Sequence, residues 1–499
     1  MGVSDNLKRA IAYPREQVAL AHATGAGLTI LDHDRPSAAP ANAILLPPIY
    51  PEWLGDRLFS HTHGCRFNYV VGEMARGIAT TRLTPDVIEA GLREIKSQLT
   101  PDQTAWGANL IHSPQQPGYE ARVVDLFLAE GVKRVSASAF MKLSVDLVRY
   151  TAIGLSRAPD GTISRENHVF AKVSRAEVAE PFMSPAPDKI LADLVASGAI
   201  TAEQADLARQ VPVAAEITAE SDSGGHTDNR PASVLFPSLT LARDRVAART
   251  GVDANAIRIG LAGGLSTPAS VAAAFSMGAA YVLTGSINQS AVESGLSEAG
   301  RRLLAKAGPA DVAMAPAADM FEQGVEVQVL KRGTLFAMRG KRLHAMYRSG
   351  ASYETLPEKD RAWLDDVLGE PFDAAWQHTL AYIRQANPAE AARAESDGNK
   401  RLALVARRYL FMGAQWAREG TPGREMDYQV WCGPAMGVFN EWVAGSFLEP
   451  TDNRTVRQIA WNLLEGAAQV TRAGQLRALG LPVAPTDFAY TPRQFADAE

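Results

Sequence analysis

The stretch from residue 66 to residue 286 predicts an α/β fold, on two local observations. Short apolar runs alternate there with amphipathic helical stretches, the pattern of parallel strands joined by crossover helices in a barrel or an open doubly wound sheet. Two late strands then each end on a glycine turn, one helix apart. In α/β barrels the loops after the last two strands are the usual grip for a phosphate. A third observation bounds the fold: past residue 295 the strand signals thin out and helical periodicity takes over.

The elements follow in order. Residues 1–40 mix Pro, Gly and Ala and read as an irregular arm. AILLPPIY (43–50) reads as a short strand, but Pro47 and Pro48 bar it from the middle of a sheet. RFNYVVG (66–72) reads as a strand, and PDVIEAGLREIKSQL (85–99) as a helix with Thr84 at its N-cap. Strands at 106–111 and 132–138 flank a helix at 119–131 that ends on Gly131. A strand at 168–174 precedes a helical stretch, 192–210, broken near Gly198. A strand is expected at 211–218 and a helix at 241–250. Strand and turn then recur at 257–264 and 280–286, separated by a helix at 268–278. The expected organisation is an N-terminal arm (1–54), a barrel (55–295) and a helical substrate or cap region packed on it (296–499).

Composition excludes several classes. Net charge is -5, so no basic surface for nucleic acid is implied. Cys65 and Cys432 are the only cysteines, too few and too distant for a disulfide framework or a zinc site. His61 and His63 lie near Cys65, but the spacing lacks a second ligand pair and no metal is expected. The N-terminus MGVSDNLKRAIAY has no apolar signal core, and Asn6 stands where a myristoylation motif needs Ser or Thr. A soluble, cytoplasmic protein is expected.

The phosphate grip is read from Ile257 to Asn288. One strand runs into Ala262-Gly263-Gly264, and Thr267 caps a helix that Pro268 begins. The next strand runs into Thr284-Gly285-Ser286. Consecutive glycines let backbone N–H groups approach an anion closely, and helix N-termini add a favourable dipole. A single turn of this kind would be only a turn; two in series point to a phosphate ligand. A dinucleotide fold does not fit, because no G-x-G-x-x-G follows the first strand.

The segment ESDSGGHTDNRP (220–231) brings a histidine, His226, into a glycine-containing loop after a strand. That arrangement suits general acid work or oxyanion stabilisation, with Asp222 or Asp228 orienting the ring. The same residue types also suit a surface turn with an ordinary histidine, and they do not decide between the two. Lys172, within a strand, needs a nearby carboxylate or cofactor ring. Trp431, Phe439, Trp442 and Phe447 read either as an acyl pocket or as a plain helical core.

Taken together, GEMARGIA (72–79), GANLIHSP (107–114), VSASAFMKLS (135–144), AKVSRAEVAEPFMSPAP (171–187), ESDSGGHTDNRP, GLAGGLSTPASVAAAFSMGAAYVLTGSINQSAVESG (260–295), APAADMFEQGVEVQVLKRGTLF (315–336) and DYQVWCGPAMGVFN (427–440) resemble one family. It is the PfaD-type trans-acting enoyl reductases of polyketide and polyunsaturated fatty acid synthases, in the nitronate monooxygenase-like FMN barrel superfamily. The resemblance implies a TIM-type (β/α) barrel, FMN, and NADPH as hydride source. It implies a 2-enoyl thioester on an acyl carrier protein as substrate, and synthase modules as partners, with a homodimer left open. It makes His226 the active-site histidine. It sets Gly224, Gly225, Gly263, Gly264, Thr284, Gly285 and Ser286 around the phosphate and ribityl chain, and Asn109, Lys172 and Glu220 near the ring or that chain. A nitronate-oxidising flavin oxidase and a non-catalytic synthase partner are the alternatives.

One departure qualifies the resemblance. Members of that family carry a further helix and strand between the GIA motif and the helix before GANLI. Here residues 79–84 run almost directly into the helix at 85–99. One βα unit is expected to be missing near the N-terminus, which leaves fewer than eight barrel strands and puts the N-terminal wall of the flavin site in doubt.

Overall fold

The computed structural model describes all residues except 1–2, 24–26, 32–42, 73–83, 114–115, 117 and 497–499. Most of the GEMARGIA motif and most of the 79–84 junction therefore lie outside the described residues.

Among the described residues, seven parallel strands form one curled sheet, a TIM-type barrel open on one side. They are β1 (Tyr69–Val71), β2 (Ala108–Ile111), β3 (Arg134–Ser138), β4 (His168–Val173), β5 (Glu216–Glu220), β6 (Arg258–Ala262) and β7 (Val282–Thr284), in spatial order β1-β7-β6-β5-β4-β3-β2. The two ends of that order, β1 and β2, have no ladder partner on their facing edges among the described residues. The seam falls between β1 and β2, and residues 73–83, where the missing βα unit is expected, lie outside the described residues. Crossover helices such as Tyr119–Ala129, Ala232–Thr250 and Pro268–Ser276 cover the outer face. The strands are short and apolar because helices bury them from outside and side chains fill them from inside; in β6 all five residues are buried.

The 43–50 segment does not replace the missing strand. Ile44–Leu46 pairs antiparallel with Val18–Leu20 in a separate three-stranded sheet, together with Gly27–Ile30. The arm is thus regular, contrary to the expectation, and begins with a helix at Val3–Ala12. Its small core of Leu7, Ile11, Leu20 and Ile30 closes on Leu476 and Leu481 at the far end of the chain. Strands this short carry too little alternation to be read from sequence. The strand expected at 211–218 begins later, at Glu216.

The region after residue 295 is helical except for a hairpin, Val312–Pro316 with Glu326–Leu330. It contributes to two cores. Residues between Ala315 and Leu410 bury a cluster of their own, including Phe321, Phe336 and Tyr409. The chain then returns to the barrel, where Val430, Met436, Phe439 and Leu463 join the main core. The helix Val456–Ala478 lies along Pro268–Ser276, and Gly466 permits the contact: a Cβ there would fall 2.5 Å from a Pro268 ring carbon. Phe439 is fully buried, and Trp442 and Phe447 pack against the same core, which supports the core reading of that aromatic stretch. No described helix is long and apolar enough to cross a membrane.

The base of the open barrel is tied by one carboxylate. Glu216, fully buried at the start of β5, accepts from His63 Nε2 at 3.0 Å and is paired with Arg258 of β6. Arg134 of β3 donates through Nε to His63 Nδ1 at 3.1 Å, so the ring is neutral with its proton on Nε2. Burial opposes charge on Glu216, but His168, His63 and Arg258 outweigh it and hold the carboxyl well below its ordinary range. His63, His168 and Glu216 bring three potential ligand atoms within 4.8 Å of one another. Arg258 and Arg134 already engage two of these residues, and a cation there would face both guanidinium groups.

Glu216→Gln is expected to destabilise the fold by about 3–5 kcal/mol at neutral pH, because it leaves Arg258 buried without its counter-charge. A urea titration checks this. The Glu216 contribution is present above the carboxyl's unfolded pKa and is lost as pH falls through its lowered folded value. The wild type should therefore lose stability on acidification more steeply than the variant.

Candidate active site

The C-terminal ends of the strands, opposite the Glu216 base, carry the candidate site. β6 runs into Gly263 (φ +82°) and Gly264 (φ +68°), two consecutive left-handed residues. Any other L-residue would be strained by roughly 1–2 kcal/mol in each position. Gly263 also has no room for a side chain, since a Cβ would stand 2.7 Å from the Ser221 and Asp222 backbone. Gly264 instead faces open space. Their N–H groups make no backbone hydrogen bond among the described residues. Thr267 then caps the helix Pro268–Ser276 by accepting from Ser270 N at 3.3 Å, and β7 leads into Gly285 and the turn Ser286–Ser290.

These turns wall one pocket, completed by Lys172 and Glu220 from the ends of β4 and β5, by Asp222 and Ser223, and by Gly72, Gly433 and Ala435. Lys172 Nζ lies 3.3 Å from Glu220 Oε1, which supplies the carboxylate a lysine in a strand needs. Thr284 lines the pocket, but its hydroxyl is committed to holding strands together. It shares a 2.5 Å hydrogen bond with Tyr69 of β1 and accepts from Asn288 Nδ2 at 2.7 Å. Burial pushes the Tyr69 hydroxyl up to about 12. Asn109 stands outside this pocket. It lines a second cavity of about 430 Å³ at the seam, with Tyr69, Trp106 and Cys65, and the two spaces share Gly72 and Leu283 as walls. Ser138 donates to Asn109 Oδ1 at 2.8 Å.

The loop after β5 is stitched to segments far away in sequence. Gly225 exchanges backbone hydrogen bonds with Gln328 of the hairpin, at 2.9 and 2.7 Å. Gln328 Nε2 also donates to Asp222 Oδ1 and to the Ser223 carbonyl. Val329 bridges to Trp431, whose carbonyl accepts from Gln289 Nε2 at 2.5 Å. Gly433 N donates to Ser286 Oγ, bringing the 431–435 loop to the pocket. Gly224 and Gly225 are not in the pocket wall. A Cβ on Gly224 would strike the Cys432 backbone, and one on Gly225 the Trp431 ring. Burial in that contact pushes the Cys432 thiol up to about 12.

His226 sits at the head of this loop with its ring edge-on to Trp431, centroids 5.6 Å apart. Its Nε2 lies 3.4 Å from Asp319 Oδ1. Neither aspartate expected to orient the ring does so. Asp228 accepts from Arg175 and Ser174, and the Arg175 hydrogen bonds lead in holding its carboxyl at about 2. Asp222 accepts from Asn229 and Gln328. Asp319 and Gly433 are not singled out as site residues from sequence, and Trp431 is read there only as an acyl-pocket or core residue, not as a neighbour of His226. The signal for them was present only as the two long motifs that contain them, 315–336 and 427–440.

Residues 351–428 match the family described as acyl-carrier-protein S-malonyltransferase, inserted helical domain. The chain is 41% identical over 483 residues to a polyunsaturated fatty acid synthase component of Thraustochytrium sp., covering 91% of this chain and 32% of that protein. It is 37% identical over 438 residues to polyketide biosynthesis protein PksE of Bacillus subtilis, covering 84% of this chain and 57% of that protein. The chain thus spans 32% and 57% of the length of these two relatives. Among solved structures, the enoyl reductase domain of MlnA from the macrolactin biosynthesis cluster of Bacillus amyloliquefaciens superposes with a TM-score of 0.79 at 32% identity. That match covers 85% of this chain and 100% of that domain.

The two glycines of the first turn should separate on substitution. Gly263→Ala is expected to lower the thermal midpoint markedly, from steric collision added to left-handed strain. Gly264→Ala should cost only the strain, about 1–2 kcal/mol. Parallel melting curves of the two variants check this, and equal losses would contradict it.

Proposed function

This chain belongs to the PfaD-type enoyl reductases of polyketide and polyunsaturated fatty acid synthases, and on that footing we propose that it is an FMN-dependent, NADPH-using enoyl reductase acting in trans on 2-enoyl thioesters of an acyl carrier protein. The observation that carries the proposal is the pairing of two phosphate-type turns with a histidine loop on one end of the barrel, in a chain that superposes over a whole enoyl reductase domain.

The residues present fit FMN. Gly263 and Gly264 offer N–H groups without a backbone acceptor among the described residues, and Gly264 has open space where a side chain would project. Gly285 and Ser286 face them across the same pocket. These four would hold the phosphate, with Lys172 and Glu220 along the same wall and Asn109 beyond Gly72 and Leu283. When bound, FMN would supply the hydride that adds to the β-carbon of the enoyl thioester. The protein's own part is to orient, to stabilise the charge that develops on the thioester oxygen, and to deliver a proton to the α-carbon. His226, on the loop beside Trp431, is the residue we assign to deliver that proton. The likeness of residues 351–428 to a helical domain of an enzyme acting on acyl carrier protein supports a carrier-bound substrate.

Three measurements test this reading. The purified protein should be yellow or take up added FMN, and a protein that does neither would point to a non-catalytic partner. It should oxidise NADPH with a crotonyl thioester and show no comparable oxygen-dependent turnover of nitronates. His226→Ala should lower enoyl reduction by about 100-fold or more while retaining FMN; reduction at the wild-type rate would remove His226 from the mechanism.

A further inference from the structure

We propose that Asp319 is the positioning residue for His226, and that it commits Nε2 of the ring so that Nδ1 delivers the proton. The inference rests on the reading of His226 given above. Asp319 Oδ1 and His226 Nε2 are 3.4 Å apart, an ion-pair separation somewhat longer than an aligned hydrogen bond. Such contacts commonly tighten when substrate closes the site. Nε2 is shut off from solvent and makes no hydrogen bond among the described residues, so the Asp319 carboxylate 3.4 Å away is the group it faces, although the His226 side chain as a whole is 30% exposed. The accessible part of the ring therefore lies away from Asp319, and Nδ1 is the nitrogen left uncommitted. Trp431, edge-on to the ring, limits its rotation.

The aspartate is itself held from the helical lobe. Arg407, on the helix Gly398–Glu419, donates through Nε to the Ala318 carbonyl at 3.1 Å and pairs with Glu322 at 3.2 Å. Lys400 of the same helix pairs with Glu322 at 2.7 Å. Residues 318–322 are thus clamped on both sides of Asp319. Burial opposes the charge on Asp319, yet His226 and nearby backbone donors hold its carboxyl below the usual range. The two aspartates of the His226 loop are engaged elsewhere, Asp228 with Arg175 and Asp222 with Asn229 and Gln328. Asp319 is the carboxylate left to face the ring.

After hydride addition at the β-carbon, the electron pair of the thioester enolate forms the new C–H bond at the α-carbon. The Nδ1–H bond of the doubly protonated ring breaks, and its electrons stay on Nδ1. The neutral ring that remains carries its proton on Nε2, facing Asp319, and Nδ1 is reprotonated from solvent.

The test compares Asp319→Asn and Asp319→Glu with wild type in the two half-reactions. NADPH reduction of the bound flavin should be unchanged in all three, which also reports folding and FMN occupancy. Flavin reoxidation by crotonyl thioester should slow about tenfold or more in Asp319→Asn, with a larger solvent deuterium isotope effect. Asp319→Glu should recover part of the rate. Equal reoxidation rates and isotope effects in wild type and Asp319→Asn would overturn the proposal, as would equal slowing of both half-reactions. If His226→Ala itself reoxidises at the wild-type rate, the reading of His226 fails; if only that variant is slow, the Asp319 assignment alone fails.

Discussion

One buried carboxylate, Glu216, ties the base of the barrel, linking adjacent strands to the helix that precedes the sheet. It joins β5 to β6 through Arg258, and to the helix Arg57–His63 through His63, which in turn is gripped by Arg134 of β3. Phe59 and His63 of that helix also line the cavity on the open side. Such a network is stable only when every partner is present, because each charge has given up its water. The division of labour follows from strand polarity: the N-terminal ends carry the structural ion network, and the C-terminal ends are free to carry loops with chemistry.

At the other end the constraint is close backbone packing between segments remote in sequence. The loop holding His226 is bonded to Gln328 and packed on Trp431 and Cys432, and Gly433 reaches back to Ser286. Gly224 is required because a Cβ there would strike the Cys432 backbone, Gly225 because one would strike the Trp431 ring, and Gly433 packs closely on the Ser223-Gly224 backbone. The hairpin and the 431–435 loop are accordingly parts of the site. The helical lobe has its own core, but it touches the chemistry through the residues it delivers, Asp319 foremost.

Much of this was legible locally. The barrel strands and the turns at Gly263-Gly264 and Gly285-Ser286 are each encoded within a few residues, by apolar runs that end on glycine and, at Gly263-Gly264, by left-handed backbone that only glycine adopts cheaply. What was not legible depends on tertiary contact. Asp319 lies far along the chain from His226, and nothing in the spacing distinguishes it from Asp222 or Asp228, which are nearer in sequence and turn to other partners. The roles of Gly224 and Gly225 depend on a loop roughly two hundred residues on, at Trp431 and Cys432. The arm's strands are too short to show alternation, and their core is completed by the last helix.

Among the described residues, the edge of β1 without a ladder partner is the one away from the phosphate turns. β1 itself is kept: it pairs with β7 in parallel register from Tyr69 opposite Val282 to Val71 opposite Thr284, and Tyr69 fixes the Thr284 hydroxyl. The gap begins on the far side of β1, so both glycine turns, on β6 and β7, keep their strand neighbours. The space it leaves is lined by Tyr69, Trp106 and Leu283 but also by Asn109, Ser136, His63 and Arg134. That mixed lining is what an unpaired edge requires, because the exposed N–H and C=O groups of β1 and β2 need polar company or water. The open edge therefore falls on the Asn109 side of the site, while the turns read as the phosphate grip stand on strands that keep their ladder partners.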